Sequence, residues 1–490
     1  MKKPPNLLLF MPETIRADAI YTPPGAGAIT PNFDRLCSEG VAFTRAFAQM
    51  SYCTPSRCSM FTGRYSHTNG HRSIWHLLQR GERNLFQDLK EAGYRNVVFG
   101  KNDLIAADFA SECFDEWGAR VPPNPQSTRI VPSRTAERLN SAMYHGLREG
   151  ECHDGDWAHI QSALQFLEED HDQPWCLFLP LSFAHPWYVA EEPYFSMHDR
   201  TALPDPIPTG ELENGRAYRK LYHQFAFPDG MTEDDCREIK AVYYGMISRV
   251  DAQLGQILAK LNARKLDTKT IVVAFSDHGD YAGDYGMVEK CPYGFEDCLL
   301  NVPLIFRVPG TSPRTVNGLC EMNDLYATLM DLTGIEPKHH QFGKSLKSAL
   351  NGKTNALHDA VFAEGGRLQN EDHWGIKGLA PQNWYAKRRD LVNRNPNVSL
   401  SRCAMIRTDT FRYTYSTHDV DELFDLRTDP QAIVNLAERN EYREVRLELR
   451  ERILNWMLET SDTLPFQQGA RAWPPNRNSK TDPARKGPIP

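Results

Sequence analysis

Two short stretches carry much of the reactive chemistry of this 490-residue chain. One is Cys53-Thr54-Pro55-Ser56-Arg57, closed by Thr62-Gly63-Arg64; the other is Ser276-Asp277-His278-Gly279-Asp280. In the first, Pro55 fixes φ and suits the opening turn of a helix. Residues 56–61 are then expected to run helically until Gly63 ends them. That puts Cys53 beside a helix N-terminus, where free N–H groups and the dipole favour an anionic group. Arg57 lies one turn in, where its planar fork can hold an oxygen-bearing group or balance charge. The second stretch sets a carboxylate and an imidazole side by side after an apolar run, a pair suited to a metal or a proton.

These groups act together only if the fold brings them to one place. Up to about residue 350, short apolar runs alternate with helical patterns, as in an α/β chain with a largely parallel sheet and helices on both faces. Strands are expected at 6–11, 96–99, 175–182, 270–275 and 302–306. One helix is framed by Thr30 as N-cap, Pro31 at its first position and Gly40 just past its end. A long amphipathic helix is expected from about 232 to 261. Ligands of open α/β sheets bind beyond the carboxyl ends of the strands. The first strand runs into Glu13-Thr14, the second into Gly100-Lys101, the third into His185 and the fourth into Asp277-His278. One shared site is the expectation.

Beyond about residue 355 the character changes. Runs at 404–407, 411–415 and 422–426, then a helix over 441–460, read as a small antiparallel sheet with one helix. The expected division is a catalytic domain over 1–355 and a C-terminal subdomain over 356–490. The tail beyond Gly469, rich in Pro, Arg, Asn and Lys, is expected to wrap the surface or stay disordered.

A net charge of −7 argues against a broad nucleic-acid surface, and no apolar run approaches membrane-spanning length. Eleven cysteines are sparse for this length and are read as mostly reduced and buried. The opening Met1-Lys2-Lys3-Pro4-Pro5 leads into an apolar run that ends by Met11, too short for a secretory core. A cytoplasmic location is therefore expected, with neither nucleic acid nor membrane as partner, and a homo-oligomer is left open.

The Cys53 motif resembles the signature of the formylglycine-dependent sulfatases of the alkaline phosphatase superfamily. The resemblance runs from Pro5-Asn6 to Asn435-Leu436 and includes Glu422-Leu423-Phe424-Asp425-Leu426 and Asp429-Pro430 near the end. It implies an alkaline-phosphatase-like three-layer α/β/α fold with a mostly parallel central sheet and a small C-terminal α+β subdomain. It also implies that a maturation enzyme oxidises Cys53 to a formylglycine aldehyde. The hydrated aldehyde offers two hydroxyls on one carbon: one attacks the sulfur, and the other later expels the sulfate. A disulfide from Cys53 to Cys58 would consume this nucleophile, and no Cys-x-x-Cys pair points to zinc.

The remaining roles follow from the same resemblance. Glu13-Thr14-Ile15-Arg16-Ala17-Asp18 is similar to the family's Asp-x-x-Arg-Ala-Asp opening, with Glu in place of Asp. Glu13, with Thr14 beside it, Asp277, His278 and the converted Cys53 are the implied metal ligands. Calcium is the implied ion, with magnesium or manganese as alternatives. Lys290, 13 residues after Asp277, and Lys101, in Phe99-Gly100-Lys101-Asn102-Asp103, resemble lysines that contact sulfate. His185, in Ser182-Phe183-Ala184-His185-Pro186-Trp187-Tyr188, resembles the histidine that protonates the leaving oxygen. Where the family has a histidine two residues past the first lysine, this chain has Asp103; Asp103, His71 or water then serves sulfate release. His67 and His71, after the signature helix, are further candidates at the substrate mouth.

The implied substrate is a small sugar, aryl or alkyl sulfate. Loops 187–193 and 365–397 are expected to shape specificity, the second with Arg388, Arg389 and Arg394 for an acidic group. The nearest rival is a phosphonate monoester or phosphodiester hydrolase on the same scaffold. Those enzymes resemble this chain in the Asp277-His278 pair and in departing from the family's Gly-Lys-Trp-His segment, whereas the two lysines favour sulfate. A non-catalytic binding protein on this fold is the rival from another class.

Overall fold

The computed structural model describes residues 4–463, apart from 24–25, 211–213, 227–229, 369–370, 372–394, 396–397 and 399. Arg388, Arg389, Arg394 and the tail beyond Gly469 lie outside the described residues. The apolar run Asn6–Met11 forms the strand around which the main sheet is built. It pairs in parallel with Trp175–Pro180 on one side and Thr270–Phe275 on the other. Beyond Trp175–Pro180 come Arg95–Val98 and then Glu116–Trp117, all parallel. The other half continues through Asn301–Arg307 to Val41–Phe47, which also carries the short strands Arg314–Val316 and Cys320–Glu321. Asn301–Arg307 runs antiparallel to both neighbours, so the mostly parallel sheet has one reversed strand.

Side chains of a strand alternate between faces, and each face here has its own core. Leu8 and Phe10 pack with Phe33, Ile160, Phe166 and Val250 on one face. Leu7, Leu9 and Met11 pack with Met60, Phe61, Leu89 and Leu329 on the other. Helices therefore cover both faces, in the alkaline-phosphatase-like three-layer arrangement expected. The long helix runs Glu233–Ala263, and its start is a capping box between Thr232 and Asp235. The helix Pro31–Glu39 differs in one detail. Thr30 sits at its N-cap position without capping; the Asp251 carboxylate accepts from the Asn32 and Phe33 N–H groups instead.

The C-terminal sheet is antiparallel, in the order Val361–Gly365, Cys403–Arg407, Phe411–Ser416, Glu422–Asp425. Helix Arg443–Thr460 closes it through Leu449, Ile453 and Trp456. A further small sheet joins Thr128–Ile130, Tyr144–Gly150 and Tyr188–Glu191. No helix among the described residues is long and apolar enough to cross a membrane.

Candidate active site

Because Asn6–Met11, Arg95–Val98, Trp175–Pro180 and Thr270–Phe275 are parallel, their carboxyl ends share one sheet edge. The residues that follow meet there. Helix Cys53–Thr62 lies across this edge with all ten residues buried, and Cys53 is its first residue. Gly63 ends it in the left-handed region (φ 67°), its N–H bonded to the Ser59 carbonyl. The helix thus begins at Cys53 itself, with Pro55 inside its first turn. All eleven cysteines are free, Cys53 and Cys58 among them.

The Cys53 Sγ lies 2.9 Å from Glu13 Oε1 and 3.3 Å from His278 Nε2. Burial and the neighbouring Glu13 push its thiol pKa up, so the neutral thiol donates to that carboxylate. Glu13, Cys53, Asp277 and His278 each offer a ligand atom, all within 4.8 Å of one another. His278 Nδ1 is 2.9 Å from the Gly279 carbonyl, which assigns the proton to Nδ1 and leaves the Nε2 lone pair facing the cluster. Burial lowers the pKa of His278 and keeps it neutral. Two carboxylates and one neutral imidazole suit a hard divalent cation. The residues present therefore fit a metal.

Thr14 contributes differently from its neighbour. Its hydroxyl donates to the Glu13 carbonyl at 2.8 Å, and its N–H donates to Asp277 Oδ1 at 3.2 Å. Its backbone is left-handed (φ 59°), and its carbonyl accepts from the Tyr243 hydroxyl at 2.7 Å. Thr14 thus orients Asp277 through the main chain. Gly279 follows the Asp-His pair for a steric reason: a Cβ there would lie 1.9 Å from the Cys298 carbonyl oxygen.

Cations surround the carboxylates. Arg57 Nε donates to Asp277 Oδ2 at 2.9 Å, and its Nη2 is 3.5 Å from Glu13 Oε2. Lys101 Nζ lies 3.0 Å from both Glu13 oxygens and 2.8 Å from Asp103 Oδ2. Lys290 Nζ is buried, 3.5 Å from Glu289 Oε1 and 4.0 Å from Glu13 Oε1, and makes no hydrogen bond among the described residues. Burial alone would raise the pKa of Glu13; Lys101, His185, Arg57 and Lys290 hold it well below the usual carboxylate range.

His185 completes the group. Its Nδ1 faces the Pro186 carbonyl at 2.5 Å, and its Nε2 lies 3.9 Å from Glu13 Oε1 and 3.7 Å from Glu289 Oε1. Burial, then Lys290, pushes its pKa down to about 4. An anionic ester beside Lys290 would offset that repulsion and favour the protonated ring. The segment bearing His185 is tied to Glu13 by main-chain bonds: Glu13 N–H to the Phe183 carbonyl (3.0 Å) and Ala184 N–H to the Glu13 carbonyl (2.8 Å).

Asp103 pairs with Lys101 at the edge of this group. His71 is engaged elsewhere, by the His76 carbonyl at 2.7 Å and Glu82 at 3.1 Å. His67 is held by Glu364 and Thr460, against the C-terminal helix. Sequence reasoning passed over Tyr188, Asp280 and Glu289, although all three stand inside the motifs it used. The Tyr188 hydroxyl donates to Asp280 Oδ1 at 2.6 Å and accepts from the Glu289 N–H at 2.9 Å. Burial pushes the Asp280 carboxyl up to about 6.

A parallel-sheet edge carrying a buried cysteine at a helix start, a cluster of side chains that could hold a metal, and flanking lysines is set on an alkaline-phosphatase-like fold. The chain belongs to the sulfatase family, which residues 5–335 match. It is similar to the uncharacterized sulfatase YidJ of Escherichia coli, 25% identical over 96% of this chain and 91% of that protein. Human arylsulfatase K is 23% identical, over 89% of this chain and 79% of its own length. Among solved structures, the phosphonate monoester hydrolase of Agrobacterium radiobacter superposes with a TM-score of 0.74 at 25% identity, covering 93% of this chain and 96% of that one.

Proposed function

We propose that this enzyme hydrolyses a small sulfate ester by S–O cleavage, with Cys53 converted to formylglycine by a maturation enzyme and hydrated before use. The observation that carries the reading is the convergence on Cys53: Glu13 at 2.9 Å, His278 at 3.3 Å, and the buried amine of Lys290 beside the same Glu13 oxygen.

A divalent cation, calcium in the first instance, would be held by Glu13, Asp277, His278 and residue 53, and would supply Lewis acidity to the ester oxygens. Arg57 and Thr14 hold Asp277 in place, and Arg57 balances the carboxylate charge. Lys290 and Lys101 offset negative charge that grows on the sulfuryl oxygens. One hydroxyl of residue 53 attacks sulfur, its proton passing to the Glu13 carboxylate beside it, as the S–O bond to the leaving oxygen breaks and that oxygen takes a proton from His185 Nε2. Loss of the proton from the second hydroxyl then expels sulfate and restores the aldehyde. Asp103, paired with Lys101, is the candidate base for that step, since His71 is committed elsewhere.

The second reading is phosphonate monoester hydrolysis, favoured by the overall similarity to the Agrobacterium radiobacter enzyme. Two measurements test the proposal. A peptide containing residue 53 should be about 18 Da lighter than the cysteine form, or nearly equal to it when hydrated. The converted protein should turn over an aryl sulfate faster than the matching aryl phosphonate, and Cys53→Ser should lose nearly all turnover while keeping its fold. Faster phosphonate turnover would move the assignment to the second reading, and full activity in Cys53→Ser would remove both.

A further inference from the structure

Glu289 adopts a left-handed backbone conformation (φ 61°) in which glycine is the least strained residue. The conformation is held from both sides. Its N–H donates to the Tyr188 hydroxyl oxygen at 2.9 Å and lies 3.1 Å from Asp280 Oδ1, while its carbonyl accepts from the Tyr281 N–H at 3.0 Å. So held, its buried carboxylate faces the reacting groups, with Oε1 3.7 Å from His185 Nε2 and 3.5 Å from Lys290 Nζ. A turn needed only for its shape would be better served by glycine. Backbone strain kept inside an active site points to work done by the side chain.

We infer that Glu289 is a specificity-determining residue that reads the leaving group: its carboxylate accepts a hydrogen bond from a hydroxyl beside the leaving oxygen and disfavours a second negative charge there. The inference rests on the sulfate-ester reading above. An oxygen that takes a proton from His185 Nε2 sits about 2.8 Å from that nitrogen. Substituents on the adjoining carbon of the leaving group are therefore within reach of Oε1. An anionic substituent would meet the like charge of a carboxylate whose side chain is only 1% exposed, where repulsion is little screened. The site's cations are already engaged: Arg57 and Lys101 lie 3.5 and 3.0 Å from Glu13, and Lys290 is shared between Glu289 at 3.5 Å and Glu13 at 4.0 Å. A hydroxyl instead gains a charge-assisted bond. The substrates selected are esters of polyols, sugars or catechols with a free neighbouring hydroxyl, rather than of hydroxy acids.

The test compares catechol monosulfate with 2-carboxyphenyl sulfate on protein whose formylglycine content has been measured. Unsubstituted protein should favour the catechol ester. In Glu289→Gln the ratio of the two kcat/KM values should shrink by about tenfold or more. Glu289→Gly, whose residue suits the backbone, should keep the fold and shrink the ratio as well. Differences in leaving-group acidity cancel because the ratio is compared between proteins. A structural role would lower both rates alike, and an unchanged ratio in both variants overturns the assignment while leaving the sulfate-ester reading intact. If the fully converted protein turns over no sulfate ester at all, that reading falls and takes this assignment with it.

Discussion

The two sides of the active site are built on opposite terms with water. Around Cys53, the side chains of Glu13, Asp277 and His278 are 0% exposed and that of Arg57 is 1% exposed. On the other side, the side chains of Lys101, Asp103 and His185 are 34%, 24% and 26% exposed. Buried charges hold their partners without solvent screening and need no rearrangement when charge develops during reaction. Groups that give up and regain protons each turnover need contact with water or product. The contrast fits the proposed mechanism, in which the closed side supplies fixed electrostatics and His185 and Asp103 on the open side exchange protons.

Substitutions should separate the two. The largest effect is expected on the closed side. Glu13→Gln should abolish activity and divalent-metal binding, measured by calorimetry, whereas Thr14→Ala should bind metal far better because Thr14 acts through its main chain. Equal metal affinity in the two variants would break the contrast at its centre. An intermediate effect is expected at His185. His185→Ala should slow esters of poorly acidic alcohols by about 10²–10⁴-fold and activated aryl sulfates much less. Equal losses across a leaving-group series would move the acid to another residue. The smallest effect is expected from Asp103→Asn, a loss of about tenfold if water partly replaces the base. Covalent sulfate should then accumulate on residue 53 for every leaving group, and rapid quench with mass spectrometry would detect it. No accumulation would take Asp103 out of sulfate release.

The closed side was the more legible in sequence, because its residues sit within short motifs whose spacing is local. Strands Asn6–Met11 and Thr270–Phe275 were read to the residue, since both are unbroken apolar runs buried on two faces. The long helix was legible from its amphipathic pattern, and the capping box that starts it joins residues only three apart. Where partners are distant, the reading stopped short. Thr30 has the right residue type for a cap, but its helix is capped by Asp251, brought in by the fold. The reversed direction of Asn301–Arg307 depends on chain connections that local composition does not encode. Thr128–Ile130 is short, Tyr144–Gly150 is broken by polar residues and glycines, and their partners in the small sheet are set by the fold. Glu289 was in view beside Lys290, yet nothing local reveals a positive φ on a glutamate. His67 and His71 looked available by type, but His67 is engaged by distant residues and His71 by its neighbours His76 and Glu82.

The paired main-chain bonds between Glu13 and the Phe183–Ala184 segment couple two segments, carrying a proposed ligand and a proposed acid, that sequence keeps about 170 residues apart. These bonds should make a displacement of the first strand's end carry the His185 turn along, so that Glu13 and His185 keep their mutual spacing. Metal affinity and proton delivery should then rise and fall together under temperature, pressure or distant mutation. An enzyme of this build would be hard to trap in a state that holds its cation firmly while misplacing its acid.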